Sequence, residues 1–428
     1  MKIEDLRRVS IGWPLFFLSF ALLCQLASGE GLQGKVMCGY QGWFRTPDDG
    51  EKTGWYHYSQ GRSFEPGNCS IELWPDVREI PKADRFPTPF RFADGAVAEV
   101  FSSVRPPTVA VHFQWMRDYG IDGVFLQRFV VNTLDPKFRS GMDTVLEACR
   151  TAATETKREW VLMYDLSGLR LGQTDALIAD WKYLQKKFQL TNATTNPAYI
   201  HHRGKPLVAL WGLGFSDRAP MLQEWETLLR FFKEDPTSGG CSVMVGVPAY
   251  WRTLDRDAIK DPQLHKLMAM ADVVSPWTVG RYDSPKKVGE YVEKTLKGDL
   301  EWCREHKLDY LPVAFPGFSW HNLMASRGQT AELDAIPRLG GSFLWSQFRK
   351  YHEAGAQAFY VAMFDEMDEG TAIFKIRNDP PVGKTPFLAE PGVPGDQYLW
   401  LTGQSGQMLR GTLVLKPGEE LPKRGDKP

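Results

Sequence analysis

The chain has 428 residues and a formal net charge of -1, from 51 Lys and Arg against 52 Asp and Glu. That balance gives no electrostatic reason to expect nucleic acid or an anionic membrane as partner. The length suits one α/β barrel with insertions. Aromatic residues make up 13%, with 15 Trp; many belong to the core, and a Trp excess can also supply flat stacking faces, which composition does not tell apart.

The N-terminus reads as an export signal. Lys2, Arg7 and Arg8 form a basic start, Ile11 to Leu23 an apolar middle, and Ala27-Ser28-Gly29 a small-residue cleavage site. The apolar run is short for a membrane span, although an uncleaved anchor is the alternative. Residues 1–29 are therefore expected to be removed. The mature chain is expected to be secreted, periplasmic or at the cell surface, without membrane attachment. Five cysteines remain: Cys38, Cys69, Cys149, Cys241 and Cys303. They lack metal-ligand spacing and read mainly as small core residues, with one disulfide possible.

A first strand is expected at Lys35 to Tyr40, followed by a long Pro/Gly/aromatic excursion from Gly42 to Pro107 that carries Trp43 and His57. The spacing then predicts a helix over Thr108–Tyr119 and a strand over Gly123–Leu126 that delivers Gln127 and Arg128. A helix over Gly141–Thr156 precedes a strand at Trp160–Met163, which delivers Tyr164 and Asp165. A helix over Asp175–Phe188 and a short arm at Tyr199–Lys205 lead to a fourth strand, Pro206–Trp211. A helix over Pro220–Lys233 precedes a fifth strand, Ser242–Val247, delivering Tyr250 and Trp251. Asp255–Met270 reads as mostly helical, and a sixth strand, Asp272–Ser275, delivers Trp277. Ser284 caps a helix running to about His306. A seventh strand, Tyr310–Ala314, opens into a second long loop with Phe318 and Trp320. A helix over Ser342–Glu353 and an eighth strand, Ala358–Phe364, complete the alternation. Asn378–Asp396 reads as surface chain, and Gln397–Leu409 as a closing helix. Eight strands alternating with helices predict a single (β/α)8 TIM barrel over residues 30–412, with long loops after strands 1 and 7 and a polar tail over 413–428. A doubly wound sheet is disfavoured because GxGxxG is absent.

The chemistry concentrates after the eighth strand. Asp365, Glu366, Asp368 and Glu369 place four carboxylates in five positions, closed by Gly370. Crowded like charges raise some carboxyl pKa values, and glycosidic cleavage needs one protonated and one ionised carboxyl. Glu366 and Glu369 lie three apart and share a side if the chain turns helically, which makes them the catalytic candidates. Substrate-binding candidates are Tyr40, Trp43, His57, Gln127, Arg128, Tyr164, Asp165, Trp211, Tyr250, Trp251, Trp277, Trp320 and Asp365. They mix stacking faces with amides and acids, as a sugar requires. No metal is expected, since His57, His201, His202 and His321 lack ligand spacing. No nucleophile elbow or phosphate loop is present, and no cofactor is implied.

Asp-Glu-Met-Asp-Glu-Gly-Thr, residues 365–371, resembles the Asn-Glu-Trp-His-Glu-Gly-Thr signature of glycoside hydrolase family 99, the endo-α-mannosidases. It is also similar to the signature of family 71, the α-1,3-glucanases. The opening KVMCGYQGWF and the stretch PGVPGDQYLWLTG look like secreted bacterial proteins of a family 71/99-like group, across most of residues 34–412. The family 99 resemblance implies that Glu366 acts as base on the sugar 2-hydroxyl and Glu369 as general acid/base; family 71 instead implies a base for water. Asp365, Met367 and Asp368 depart from the family 99 signature, and the two middle positions would line the sugar site. The expectation is a monomeric secreted glycoside hydrolase that cleaves α-linked poly- or oligosaccharide of mannan or glucan type. The alternative is a carbohydrate-binding barrel that has lost hydrolysis.

Overall fold

The computed structural model describes residues 31–61, 63–218, 221–414 and 421–424. The export-signal expectation on residues 1–29 lies outside them. Six parallel strands follow in chain order: Val36–Tyr40, Gly123–Phe129, Glu159–Asp165, Lys205–Trp211, Ser242–Pro248 and Val273–Trp277. The seventh comes in two pieces. Asp309–Tyr310 pairs with the sixth strand, and Val313–Ala314 pairs with the eighth, Phe359–Val361. The eighth pairs with the first. The ring therefore closes through the two halves of the seventh strand, and the fold is a (β/α)8 barrel.

The seventh strand was expected to be continuous. Pro312 breaks it, because proline has no N–H to give to the ladder. Its carbonyl still accepts from Tyr360 N at 3.0 Å, and Leu311 N donates to Val274 O at 2.9 Å, so the gap is bridged. Val36–Tyr40 and Ser242–Pro248 are buried at every position. Their inner side chains fill the barrel and the outer ones lie under helices, as parallel sheets require.

The covering helices are Pro106–Tyr119, Pro136–Thr156, Thr174–Phe188, Leu222–Glu234, a continuous run from Pro285 to Glu305, Ser342–Glu353 and Gln397–Leu409. Asp135 caps the second by accepting from Lys137 N at 2.9 Å. The helix expected over Asp255–Met270 is confined to Gln263–Met268. Leu254 and Arg256 sit at positive φ, which unwinds the chain ahead of Pro262. The last helix tolerates Gly403 for a packing reason. A Cβ there would lie 1.7 Å from the carbonyl of Tyr119, so glycine lets this helix touch the end of the first one.

The excursion after the first strand has its own structure. Arg85–Arg91 and Val97–Phe101 form an antiparallel hairpin whose turn carries Gly95 at φ 83°. Phe44, Tyr58, Phe64, Trp74, Phe90 and Phe101 pack into one aromatic cluster. Residues 378–396 do not simply run over the surface: Val382 N donates to Arg91 O and Leu388 N to Glu72 O, lacing this stretch to the excursion. Cys38, Cys69, Cys149, Cys241 and Cys303 are all buried free thiols, so no disulfide joins them. Among the described residues no helix is long and apolar enough to cross a membrane.

Candidate active site

Beyond Val361 the chain leaves the sheet and folds into a closed turn at the C-terminal mouth of the barrel. Thr371 N and Ala372 N both donate to Glu366 O, at 3.2 and 2.9 Å. Gly370 adopts φ 65°, and a Cβ on it would sit 3.1 Å from Ser319 N. Two other loops grip the turn by its backbone. Glu72 N donates to Met367 O at 2.9 Å, and Ser319 N to Glu369 O at 3.0 Å. Arg338 donates to the carbonyls of Gly370 and Ala372 at 2.9 and 3.0 Å. Glu72 itself is buried and accepts from Ser319 Oγ and Asn322 N, at 2.7 and 2.5 Å, tying the two long loops together. Burial pushes its carboxyl up to about 7.

The four acids have four different environments. Asp365 is fully buried and accepts from the backbone N–H groups of Gln41 and Gly42 at 2.7 and 2.9 Å. Burial still lifts its pKa to about 7. It is a clamp between the last and first strands, not a sugar contact. Glu366 accepts from Gln41 Nε2 at 2.8 Å and Thr371 Oγ1 at 2.9 Å. Burial, then the charges of Glu369 and Asp368, push its pKa well above the ordinary carboxylate range. Asp368 bonds His57 Nδ1 at 2.8 Å, while its other oxygen is buried without a hydrogen-bond partner among the described residues. Glu369 is half-buried, and no described residue donates a hydrogen bond to its carboxylate. Burial and Asp368 raise its pKa to about 7, while Arg327 pulls it down. Glu366 and Glu369 thus form an interacting pair in which a proton is retained near neutral pH. Glu366 is fixed by two donors, and Glu369 is not tethered in this way.

Aromatic faces stand around the mouth. The Trp43 ring stacks on His57 with centroids 3.7 Å apart and planes 6° from parallel, and on Phe129 at 5.5 Å. His57 holds this place at φ 63°, a conformation that a histidine adopts only when its surroundings impose it. Trp211 and Trp277 meet edge to face at 5.5 Å, and Phe318 lies 5.3 Å from the exposed Trp320. Tyr250 is half-buried beneath the Arg256 guanidinium. Gln127 and Asp165 are buried near Tyr360: Gln127 Nε2 donates to the Tyr360 hydroxyl at 3.3 Å, and Asp165 is raised to about 6 by burial.

Four expected substrate contacts lie elsewhere. The Tyr40 hydroxyl bonds His112 in the helical layer. Arg128 is buried against Asp180 and Asp143, and the Tyr164 hydroxyl donates to Asp180 at 2.8 Å. Trp251 is fully buried against Trp302 and His265. Side chains alternate between the two faces of a strand, so a one-residue choice at a strand end puts a group inside or outside the barrel. Met367 is also fully buried and does not line a sugar site. Two functional neighbours of Glu366, Gln41 and Thr371, were missed. Gln41 was within reach of the same alternation, being one residue past Tyr40.

Among the described residues no group of three or more His, Cys, Asp and Glu side chains is placed to hold a metal ion. Grooves of about 1090 and 1070 Å³ open between the Pro106–Tyr119 and Pro136–Thr156 helices and at the opposite end of the barrel. Neither touches the acid turn; here the carboxylates mark the site better than volume does.

Two structures of the family 99 endo-α-mannosidase of Bacteroides thetaiotaomicron are similar to this chain, with TM-scores of 0.62 and 0.61. The matches cover 89% of this chain and 99% and 98% of those chains, at 14% and 13% identity. The fold is that of the endo-α-mannosidase barrel. A glycoside hydrolase-like protein matches at a TM-score of 0.53 and 12% identity, over 88% of this chain and 94% of that one. No family model matches the sequence, and neither does any curated protein. At such identities the likeness shows the architecture alone, and the chemistry must be argued from the residues.

Proposed function

We propose that this chain is a secreted glycoside hydrolase that cleaves α-linked glycosidic bonds in a mannan- or glucan-type glycan. The observation that carries the reading is the asymmetry of the pair: Glu366 is held by two donors, while the Glu369 carboxyl, raised to about 7, receives no hydrogen bond from a described residue. Glu369 gives its proton to the glycosidic oxygen as the C1–O bond breaks. Glu366 takes a proton either from a water that attacks C1 or from the sugar's own 2-hydroxyl, whose oxygen then closes on C1. The likeness of fold to an endo-α-mannosidase and the 365–371 signature both support this chemistry. The aromatic faces around the mouth supply the stacking that a sugar chain needs.

The test is reducing-end release by the mature protein on α-mannans and α-glucans, with Glu369→Gln as control. Release from one substrate that vanishes in the variant is the expected result. Glycan-dependent thermal stabilisation with no release would instead indicate the binding-only barrel.

A further inference from the structure

We propose that Gln41 is a positioning residue for Glu366, holding that carboxylate in one orientation. The inference rests on the glycosidase reading for its consequence in turnover, but not for its geometry.

Gln41 follows the first strand directly and is fixed at two points. Its backbone N–H is taken by Asp365 Oδ1 at 2.7 Å, and its side-chain Nε2 donates to Glu366 Oε1 at 2.8 Å. Two successive acids of the turn therefore read one residue of the first strand, one through the main chain and one through the side chain. The adjoining cavity, about 30 Å³, is lined by Gln41, Trp43, Thr53 and Gln127. Gln41 Oε1, Trp43 Nε1, Thr53 Oγ1 and Gln127 Oε1 are buried there without partners among the described residues. The amide of Gln41 is thus poised between a carboxylate that wants its donor and a small polar chamber of the size that holds a buried water.

The groups around Glu366 show why a donor is needed. Glu369 and Asp368 face it from its own turn, and both disfavour its charge. The Tyr360 phenol faces it from the eighth strand, with Asp165 and Cys38 near that phenol from the third and first strands. Thr371 Oγ1 and Gln41 Nε2 oppose this by donating to the carboxylate, and only Gln41 comes from another element of the fold. Without the amide, Glu366 keeps its proton to higher pH and loses one of its two tethers.

The experiment uses Gln41→Met, which keeps the bulk and removes the donor. Titration of the Glu366 carboxyl is followed by 13C NMR on Glu-labelled protein, its signal assigned by its disappearance in Glu366→Gln. The expected result is a midpoint at higher pH in Gln41→Met than in the unaltered chain; an unchanged midpoint overturns the proposal. In kinetics, kcat is expected to fall roughly 10- to 100-fold at neutral pH, the scale of a hydrogen bond to a charged group. KM should change little, and the acidic limb of the pH–rate profile should move to higher pH. Should Gln41→Met not fold, Gln41→Asn draws the amide back from Glu366 with less change in volume and should shift the titration in the same direction. The titration needs no turnover, so the two ideas fail separately. A Glu366→Gln protein with full activity defeats the glycosidase reading, whereas a dead Glu366→Gln beside an unmoved Gln41→Met titration defeats only the role of Gln41.

Discussion

Two clusters of charge sit at strand ends of this barrel, and they have opposite fates. After the second and third strands, Arg128 lies between Asp143 and Asp180, with Tyr164, Lys187 and Tyr183 adding further hydrogen bonds. After the eighth strand, four acids crowd a turn, and the buried Arg338 guanidinium beside it donates to backbone carbonyls and pairs with Glu390 rather than with these acids. The first cluster is closed on itself: each charge meets its opposite under the helices. The second is short of counter-charge at the barrel mouth, and burial first, then mutual repulsion, lifts the proton affinity of Asp365, Glu366 and Glu369. Paired charges build the scaffold, and unpaired ones are available for chemistry.

Substitutions in the two clusters should therefore separate turnover from stability. The largest effect is expected from Glu369→Gln, which should lower kcat by about 10²–10⁴-fold, the range for loss of a general acid. Its fold should not suffer. Because the Glu369 pKa is raised from 4.5 to about 7, the folded chain holds a proton that the unfolded chain releases. The stability this group contributes is complete below pH 4.5 and is lost as the pH rises through about 7. Melting temperatures recorded across that window should fall less steeply in Glu369→Gln than in the unaltered protein; a steeper fall would contradict the placement of this acid.

Arg128→Met should do the reverse. It strands two buried carboxylates and is expected to cost about 3–5 kcal/mol in urea unfolding. The fraction that remains folded should turn over substrate at the normal rate. A selective loss of kcat would mean that Arg128 reaches the sugar after all.

Asp365→Asn belongs between the clusters, since this acid is buried like one and charged like the other. Its amide would confront one of the two backbone N–H groups of Gln41 and Gly42. The expected cost is about 1–3 kcal/mol, with a partial loss of kcat as the first strand shifts against the turn. Smallest of all should be Trp211→Ala, on the aromatic side of the mouth. It should raise KM several-fold and leave kcat nearly unchanged, as for uniform binding lost at a stacking face.

Much of this was legible in the sequence, and the rest failed for identifiable reasons. Apolar runs such as Ser242–Val247 announce buried strands, and the acids at 365–369 announce themselves by density. What a single strand end does not reveal is its parity. Position at a strand end alone puts Tyr40 and Arg128 at the mouth, but they lie behind it, while Gln41, one step along, is the residue that faces Glu366. The parity becomes readable only from the neighbours: Gly39 sits beside Met363 and Tyr360 inside the barrel, so Tyr40 must point out and Gln41 in. The break at Pro312 was readable in principle, because a proline in a central strand removes a ladder donor. The hairpin at 85–101 was masked by prolines at 87 and 89, although Asp94-Gly95 is a turn signal.

The grip on the acid turn has one more consequence. Its frame is held through the carbonyls of Met367, Glu369, Gly370 and Ala372, and a carbonyl is the same whatever side chain follows it. The turn is thus a socket with exchangeable fittings. A lineage carrying it can trade the residue at position 368, or import a histidine from a distant loop as His57 is imported here, without rebuilding the mount. On the glycosidase reading, selectivity among sugars can drift in such a protein while the Glu366 and Glu369 pair stays where it is.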